Sequence, residues 1–175
     1  MICDKLLQDN IAEDIHNRIK KLSWKYNYFS KRKSDGAVQP HWNIQCGRTK
    51  DEIIKHNYEY LLPIFEEAIL KFNIPLKLKK VYMNAHTFGV EPHLHIDADV
   101  DYTFIYYPRL DWKPDWLGGT ALWDNEEKNI NKYCNYVGNR LLIFKSDIKH
   151  QAMPVSRFCY ELRSVIVLKM VRDEN

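Results

Sequence analysis

The sequence has no apolar run approaching the length of a membrane-spanning helix, so no helical span is expected within its 175 residues. Its opening, Met1-Ile2-Cys3-Asp4-Lys5, lacks the charged-then-apolar organisation of a secretory signal, and a cytoplasmic location is expected. Cysteine is scarce. The four residues lie far apart at positions 3, 46, 134 and 159 with no Cys-x-x-Cys pair, which argues for reduced thiols rather than a disulfide framework. No charge of one sign dominates. The net charge is +3, too small to imply nucleic acid or a membrane surface as a partner. Internal repeats, low-complexity tracts and linkers are also missing, so one domain spanning 1–175 is expected, with a helical and short-strand part at 1–75 and a β core at 76–171. What is present is ordinary for a globular chain: 45% hydrophobic and 28% charged residues. Eleven tyrosines suit a β-rich fold.

Leu6, Leu7, Ile11, Ile15 and Ile19 recur at helical spacing and predict a helix over Asp4–Lys20. Trp24, Tyr26 and Tyr28 alternate with polar residues as a strand would, and their aromatic rings read as sheet or core residues. Lys31-Arg32-Lys33 and Ser34-Asp35-Gly36 read as a polar, solvated loop, and His41–Cys46 as a second short strand. Thr49 is a candidate cap for a helix running to Phe72, which Pro63 should kink or split. From Leu76 the pattern turns to β, with strands expected at Leu76–Asn84, Gly89–Asp97, Tyr102–Tyr107, Gly119–Trp123, Arg140–Lys145, Ala152–Val155 and Leu162–Met170. Pro108, Pro114, Gly118-Gly119, Gly138-Asn139 and Pro154 punctuate them. Many short strands between frequent turns predict a sandwich, jelly roll or barrel, with the early helices covering one outer face.

The chemistry concentrates in Pro92-His93-Leu94-His95-Ile96-Asp97. On an extended strand, alternate side chains share a face. His93, His95 and Asp97 would then face one way, and Leu94 and Ile96 the other. His95 and Asp97 could chelate one ion, and His150, beyond the apolar stretch Leu141–Phe144, offers a third donor. Two histidines and one carboxylate on one face of an ion leave its opposite positions open, the arrangement of non-haem Fe(II) oxygenases.

From Tyr82 to Met170 the chain resembles the 2-oxoglutarate/Fe(II)-dependent dioxygenases, most of all their prolyl-hydroxylase-like branch. The resemblance rests on an ordered series: His95-Ile96-Asp97, Phe104–Tyr107, Asp111-Trp112, Gly118–Leu122, Gly138–Phe144, His150, Pro154-Val155 and Arg163-Ser164. It implies a double-stranded β-helix, the cupin-like jelly roll. It implies Fe(II) held by His95, Asp97 and His150, with 2-oxoglutarate and O2 taking the remaining positions. It also implies a basic residue for the far carboxylate of 2-oxoglutarate, a role that suits the planar fork of arginine. Arg163, which opens an apolar strand, is preferred over Arg157 in the preceding loop, although the spacing from His150 is longer than the family pattern. Tyr107, and after it Tyr82, are the expected tyrosine partners of the same cosubstrate. His93 and Trp123 are expected in the wall of the substrate pocket. Asp97 points to hydroxylation or a related oxidation, because halogenating relatives lack this carboxylate.

The activity so implied is hydroxylation of a second organic substrate, such as a prolyl or other side chain on a peptide or protein, or an amino acid-like small molecule. Oxidative demethylation of nucleic acid ranks low, since those enzymes carry a further arginine beyond the anchor and nothing here matches until Arg172. A cupin-like module that binds metal without turnover is the reading from another class. The Asp111–Leu117 segment, with Trp112 and Trp116, reads either as packing or as a lid. The sequence carries no signature of a particular oligomeric state.

Overall fold

The computed structural model describes residues 1–29, 40–73, 75–97 and 99–173. The Lys31–Gly36 loop expected from the sequence lies outside them. Ten strands are described: β1 (Ile2–Cys3), β2 (Lys25–Tyr28), β3 (His41–Gly47), β4 (Leu76–His86), β5 (Tyr102–Tyr107), β6 (Thr120–Trp123), β7 (Ile130–Cys134), β8 (Arg140–Lys145), β9 (His150–Ala152) and β10 (Arg163–Arg172). They form a seven-stranded sheet in the order β1-β8-β5-β10-β4-β3-β2 and a three-stranded sheet in the order β7-β6-β9. All pairings are antiparallel. This is a jelly roll with flanking helices, and its central strand is β10.

Alternation along the strands sorts side chains between two environments. Met83, Phe104, Tyr106, Ile166 and Leu168 face one way, into an apolar core that they share with Ile15, Ile19, Ile53, Ile64 and Ala68 of the helices. Those helices are α1 (Asp9–Ile19), α2 (Lys50–Lys55) and α3 (Leu62–Phe72). Thr49 caps α2 as expected, its hydroxyl accepting from the Glu52 amide. The long helix anticipated after Thr49 is split: Asn57 turns the chain at positive φ, and Pro63 sits in the first turn of α3, where a missing N–H costs nothing.

Three expectations need correction. The first helix begins at Asp9 rather than Asp4, because the preceding residues have other partners. Ile2 and Cys3 pair with β8, and Asn139 bonds Leu7 through both ends of its amide, accepting from N–H at 3.0 Å and donating to C=O at 2.9 Å. Gly89–Asp97 is not a regular strand. It forms one isolated bridge, His95 to His150, and the Asp97 amide donates to Ser146 C=O at 2.9 Å. Pro92 has no N–H to continue a ladder, and its carbonyl instead accepts from the Gln151 side chain. The strand expected at Ala152–Val155 lies earlier, at His150–Ala152, so His150 is itself a strand residue.

A candidate metal centre in the mouth of the jelly roll

The isolated bridge sets the site. The His95 amide donates to His150 C=O at 3.1 Å and the His150 amide to His95 C=O at 2.8 Å. Each imidazole is then turned by its own backbone: His95 Nδ1 lies 2.9 Å from His93 C=O, and His150 Nδ1 lies 2.9 Å from Ile148 C=O. A ring nitrogen bonded to a carbonyl carries the proton, which leaves Nε2 as the basic atom on both rings. Nε2 of His95 is 3.9 Å from Asp97 Oδ1, and Nε2 of His150 is 3.4 Å from Oδ2. The three donors lie within 4.8 Å of one another. Two neutral imidazoles and a carboxylate at this spacing fit one divalent transition metal.

Lys169 completes the cluster and was missed by the sequence reading. Its ammonium is in direct contact with Asp97 Oδ2 and donates to the Thr103 hydroxyl at 3.1 Å; Thr103 in turn donates to Oδ2 at 2.6 Å. Both donors converge on Oδ2 and leave Oδ1 toward His95. Burial opposes the charge on Asp97, but the Lys169 ammonium and His150 outweigh it and hold the carboxyl below its usual range. Burial, then the neighbouring His95, pushes His150 down to about 4, so it is neutral at neutral pH. The signal for Lys169 was available: Arg163, Val165 and Val167 share a face, and the next position on it is a lysine in an otherwise buried apolar run.

The cluster opens into a cavity of about 850 Å³. Arg163 and Lys169 stand on its β10 wall, and Tyr82, Asn84 and His86 on the β4 wall beside them. Arg163 is 2% exposed. Its guanidinium donates to the carbonyls of Gly118 and Gly119 and, at 3.3 Å, to the Thr120 hydroxyl. No carboxylate among the described residues pairs with it. Gly119 has no room for a side chain, since a Cβ would sit 2.4 Å from Cys134 C=O, and this close approach brings both glycine carbonyls to the guanidinium. Tyr107 does not line the cavity. It lies beneath Arg163, fully buried, and donates to Thr120 at 2.7 Å, so it reaches the cavity only through that hydroxyl.

The remaining sequence candidates fall as follows. Tyr82 lines the cavity, whereas His93 and Trp123 do not. Leu94 and Ile96, expected on the opposite face from His95, line it as well, because the segment is irregular. Arg157 is exposed in the loop and does not line the cavity. Trp112 stacks on Tyr136 with centroids 4.4 Å apart and donates to Leu117 C=O, so the segment around it is packing at the closed end of the roll and no lid over the cavity.

The jelly roll that carries these two histidines, the aspartate and the buried arginine is a fold also found in solved 2-oxoglutarate/Fe(II) oxygenases. Solved structures of that class share this fold. They include a prolyl hydroxylase from Trichoplax adhaerens in complex with a hypoxia inducible factor peptide fragment (TM-score 0.64, 19% identity, covering 98% of this chain and 82% of that one). A prolyl-4-hydroxylase from Pseudomonas putida is similar at TM-score 0.64 and 12% identity, covering 99% of this chain and 92% of that one. HygX from Streptomyces hygroscopicus, solved with nickel and 2-oxoglutarate bound, is similar at TM-score 0.66 and 9% identity, covering 99% and 83%. No family model matches the sequence, and no curated protein matches it.

Proposed function

We propose that this chain is a single Fe(II)- and 2-oxoglutarate-dependent dioxygenase domain that hydroxylates a second organic substrate. The observation that carries this reading is Arg163. A buried guanidinium with only neutral partners is costly unless an anion joins it, and it shares a cavity with His95, Asp97 and His150. Iron with 2-oxoglutarate, when bound, supplies oxygen activation, with release of succinate and CO2. The protein's own part is positional. His95, Asp97 and His150 would hold the metal; Lys169 and Thr103 keep Asp97 ionised through their contacts with Oδ2; Arg163, with the Thr120 hydroxyl, would take the far carboxylate of the cosubstrate. Tyr107 orients Thr120, and Tyr82 forms the side wall. The prolyl hydroxylases among the similar structures favour a prolyl or related side chain, or an amino acid-like molecule, as the group oxidised. The unpaired cysteines suit a reducing, cytoplasmic setting.

The test is succinate formation from 2-oxoglutarate with Fe(II) and O2, which in uncoupled form needs no second substrate. His95→Ala or Asp97→Ala should lower it at least about a hundredfold, since even indirect partners of a metal are worth 10–100-fold. Full activity in both variants would rule out the assigned ligands. Arg163→Met should raise the 2-oxoglutarate requirement at least about tenfold, as loss of one partner of a buried charge pair does. Arg157→Ala should leave it within about twofold, as an exposed loop charge would; the opposite ranking would transfer the anchor to Arg157.

A further inference from the structure

The cavity wall holds more positive charge than the proposed cofactor chemistry consumes. Its cations are Arg48, Lys79, Lys80, Lys149, Arg163 and Lys169, and its acids are Asp97, Asp99 and Glu127. Some of these are already engaged. Lys149 pairs with Glu127 at 2.6 Å, Lys169 with Asp97, and Lys79 donates to the main-chain carbonyl of Asp99. Arg163 is the anchor for 2-oxoglutarate. Arg48 and Lys80 remain; neither side chain has an ion-pair partner among the described residues, while the Arg48 amide donates to the Glu52 carboxylate at 2.8 Å. Asp99 is the one acid of the wall left to offset them.

The placement of Lys80 is unfavourable by itself. It stands directly opposite Lys169 in the antiparallel register of β4 and β10, and like charges facing across strands destabilise a sheet. Both ammoniums lie over the ring of Tyr82, Lys80 at 5.0 Å and Lys169 at 5.8 Å from its centroid. The ring's negative face offsets part of the repulsion. Burial, then the charge of Arg48, lowers the pKa of Lys80. Arg48 follows β3 and is exposed, and it lines the same cavity as Lys80 and the metal ligands. A row of cations assembled against its own repulsion is stabilised by an anion that enters with a ligand.

We propose that Arg48 and Lys80 form a subsite for an anionic group, a carboxylate or a phosphate, carried by the substrate that is oxidised. The proposal rests on the dioxygenase reading, because it assigns 2-oxoglutarate to Arg163 and the leftover charge to the second substrate. Arginine supplies a planar fork and lysine a point charge, a pair that holds an oxyanion from two sides. An anion fixed there places the rest of the substrate along Tyr82, toward Asp97 and the two histidines.

The experiment uses the full chain loaded with Ni(II) and saturated with 2-oxoglutarate, so that Arg163 is occupied. Inorganic phosphate and acetate are the probes, titrated at constant ionic strength against sodium chloride and followed by backbone amide NMR. At least one probe should bind saturably and shift amides around Arg48 and Lys80. Lys80→Gln and Arg48→Gln should each weaken that binding by about tenfold, the loss of one charge-assisted contact. Their affinity for 2-oxoglutarate should stay within about twofold of the parent protein, since neither is its anchor. Tighter binding of phosphate than of acetate assigns the subsite to a phosphorylated substrate, and the reverse to a carboxylated one. Probes that shift no more amides than chloride, or binding unchanged in both variants, would overturn the subsite while leaving the dioxygenase reading intact. Failure of the nickel-loaded protein to take up 2-oxoglutarate at all would overturn both.

Discussion

The two faces of the large sheet are built from the same strands and do opposite work. Phe104, Tyr106, Ile166 and Leu168 turn toward the helices and make a dry apolar core. Their immediate neighbours Thr103, Ile105, Val165, Val167 and Lys169 turn toward the cavity, where polar groups sit among apolar ones. Adjacent residues on one strand therefore belong to different economies. One face stabilises by burying area at about 25 cal/mol per Å²; the other holds charges in arrangements that a stability criterion alone would not select. The lesson is that the helical face keeps β4, β5 and β10 in register, and this register lets the cavity face carry a buried arginine at the start of β10 and a buried lysine, Lys169, further along it.

Three experiments break or sharpen that contrast. The largest effect is expected on the core side. Phe104 is fully buried, and Phe104→Ala should cost about 3–5 kcal/mol of unfolding free energy in urea, while metal affinity of the remaining folded molecules stays close to the parent. A loss of metal affinity as large as the loss of stability would show that the faces are not separable. One residue earlier the balance should invert. Thr103→Val removes the hydroxyl that holds Asp97, and metal affinity measured by competition should fall about 10–100-fold, with stability changing by roughly 1 kcal/mol.

The smallest effect is a pH dependence that the cavity side shares with His16 of α1. Burial, then Arg163, holds His86 well below the ordinary histidine value, and His150 is lowered to about 4. A histidine whose folded pKa is depressed binds fewer protons folded than unfolded. Stability is then complete above about pH 6.5, the unfolded value, and falls as pH drops toward the folded one. Metal-free protein should lose stability progressively as pH falls from 7.5 to 4.5. His86→Gln should flatten part of that slope; an equally steep slope in the variant would assign it to other groups.

The contrast also explains what the sequence made legible. Tyr102–Tyr107, Arg140–Lys145 and the strand from Leu162 were readable because core-facing positions impose an apolar alternation. Between and after them His95, Asp97, His150 and Arg163 follow in a recognisable order, with only Arg163 on one of these strands. Three features left no such trace. Ile2–Cys3 is too short to show a period. Ile130–Cys134 is an exposed edge strand with a single buried side chain, so no apolar stripe marks it. The run from Gly89 to Asp97 alternates in sequence, but Pro92 and the turn that supplies its partner break the ladder into one bridge. Lys169 differs from these: its place on the face of Arg163, Val165 and Val167 is legible in the sequence, and its contact with Asp97 shows what that place is for.

The mutual backbone bonds of His95 and His150 have one more implication. Each histidine presents its imidazole while its amide is fastened to the other's carbonyl, 55 positions away along the chain. Neither ring can drift without dragging its counterpart. The spacing between them is thereby inherited from peptide geometry rather than negotiated by flexible side chains, and the centre behaves as one rigid jaw.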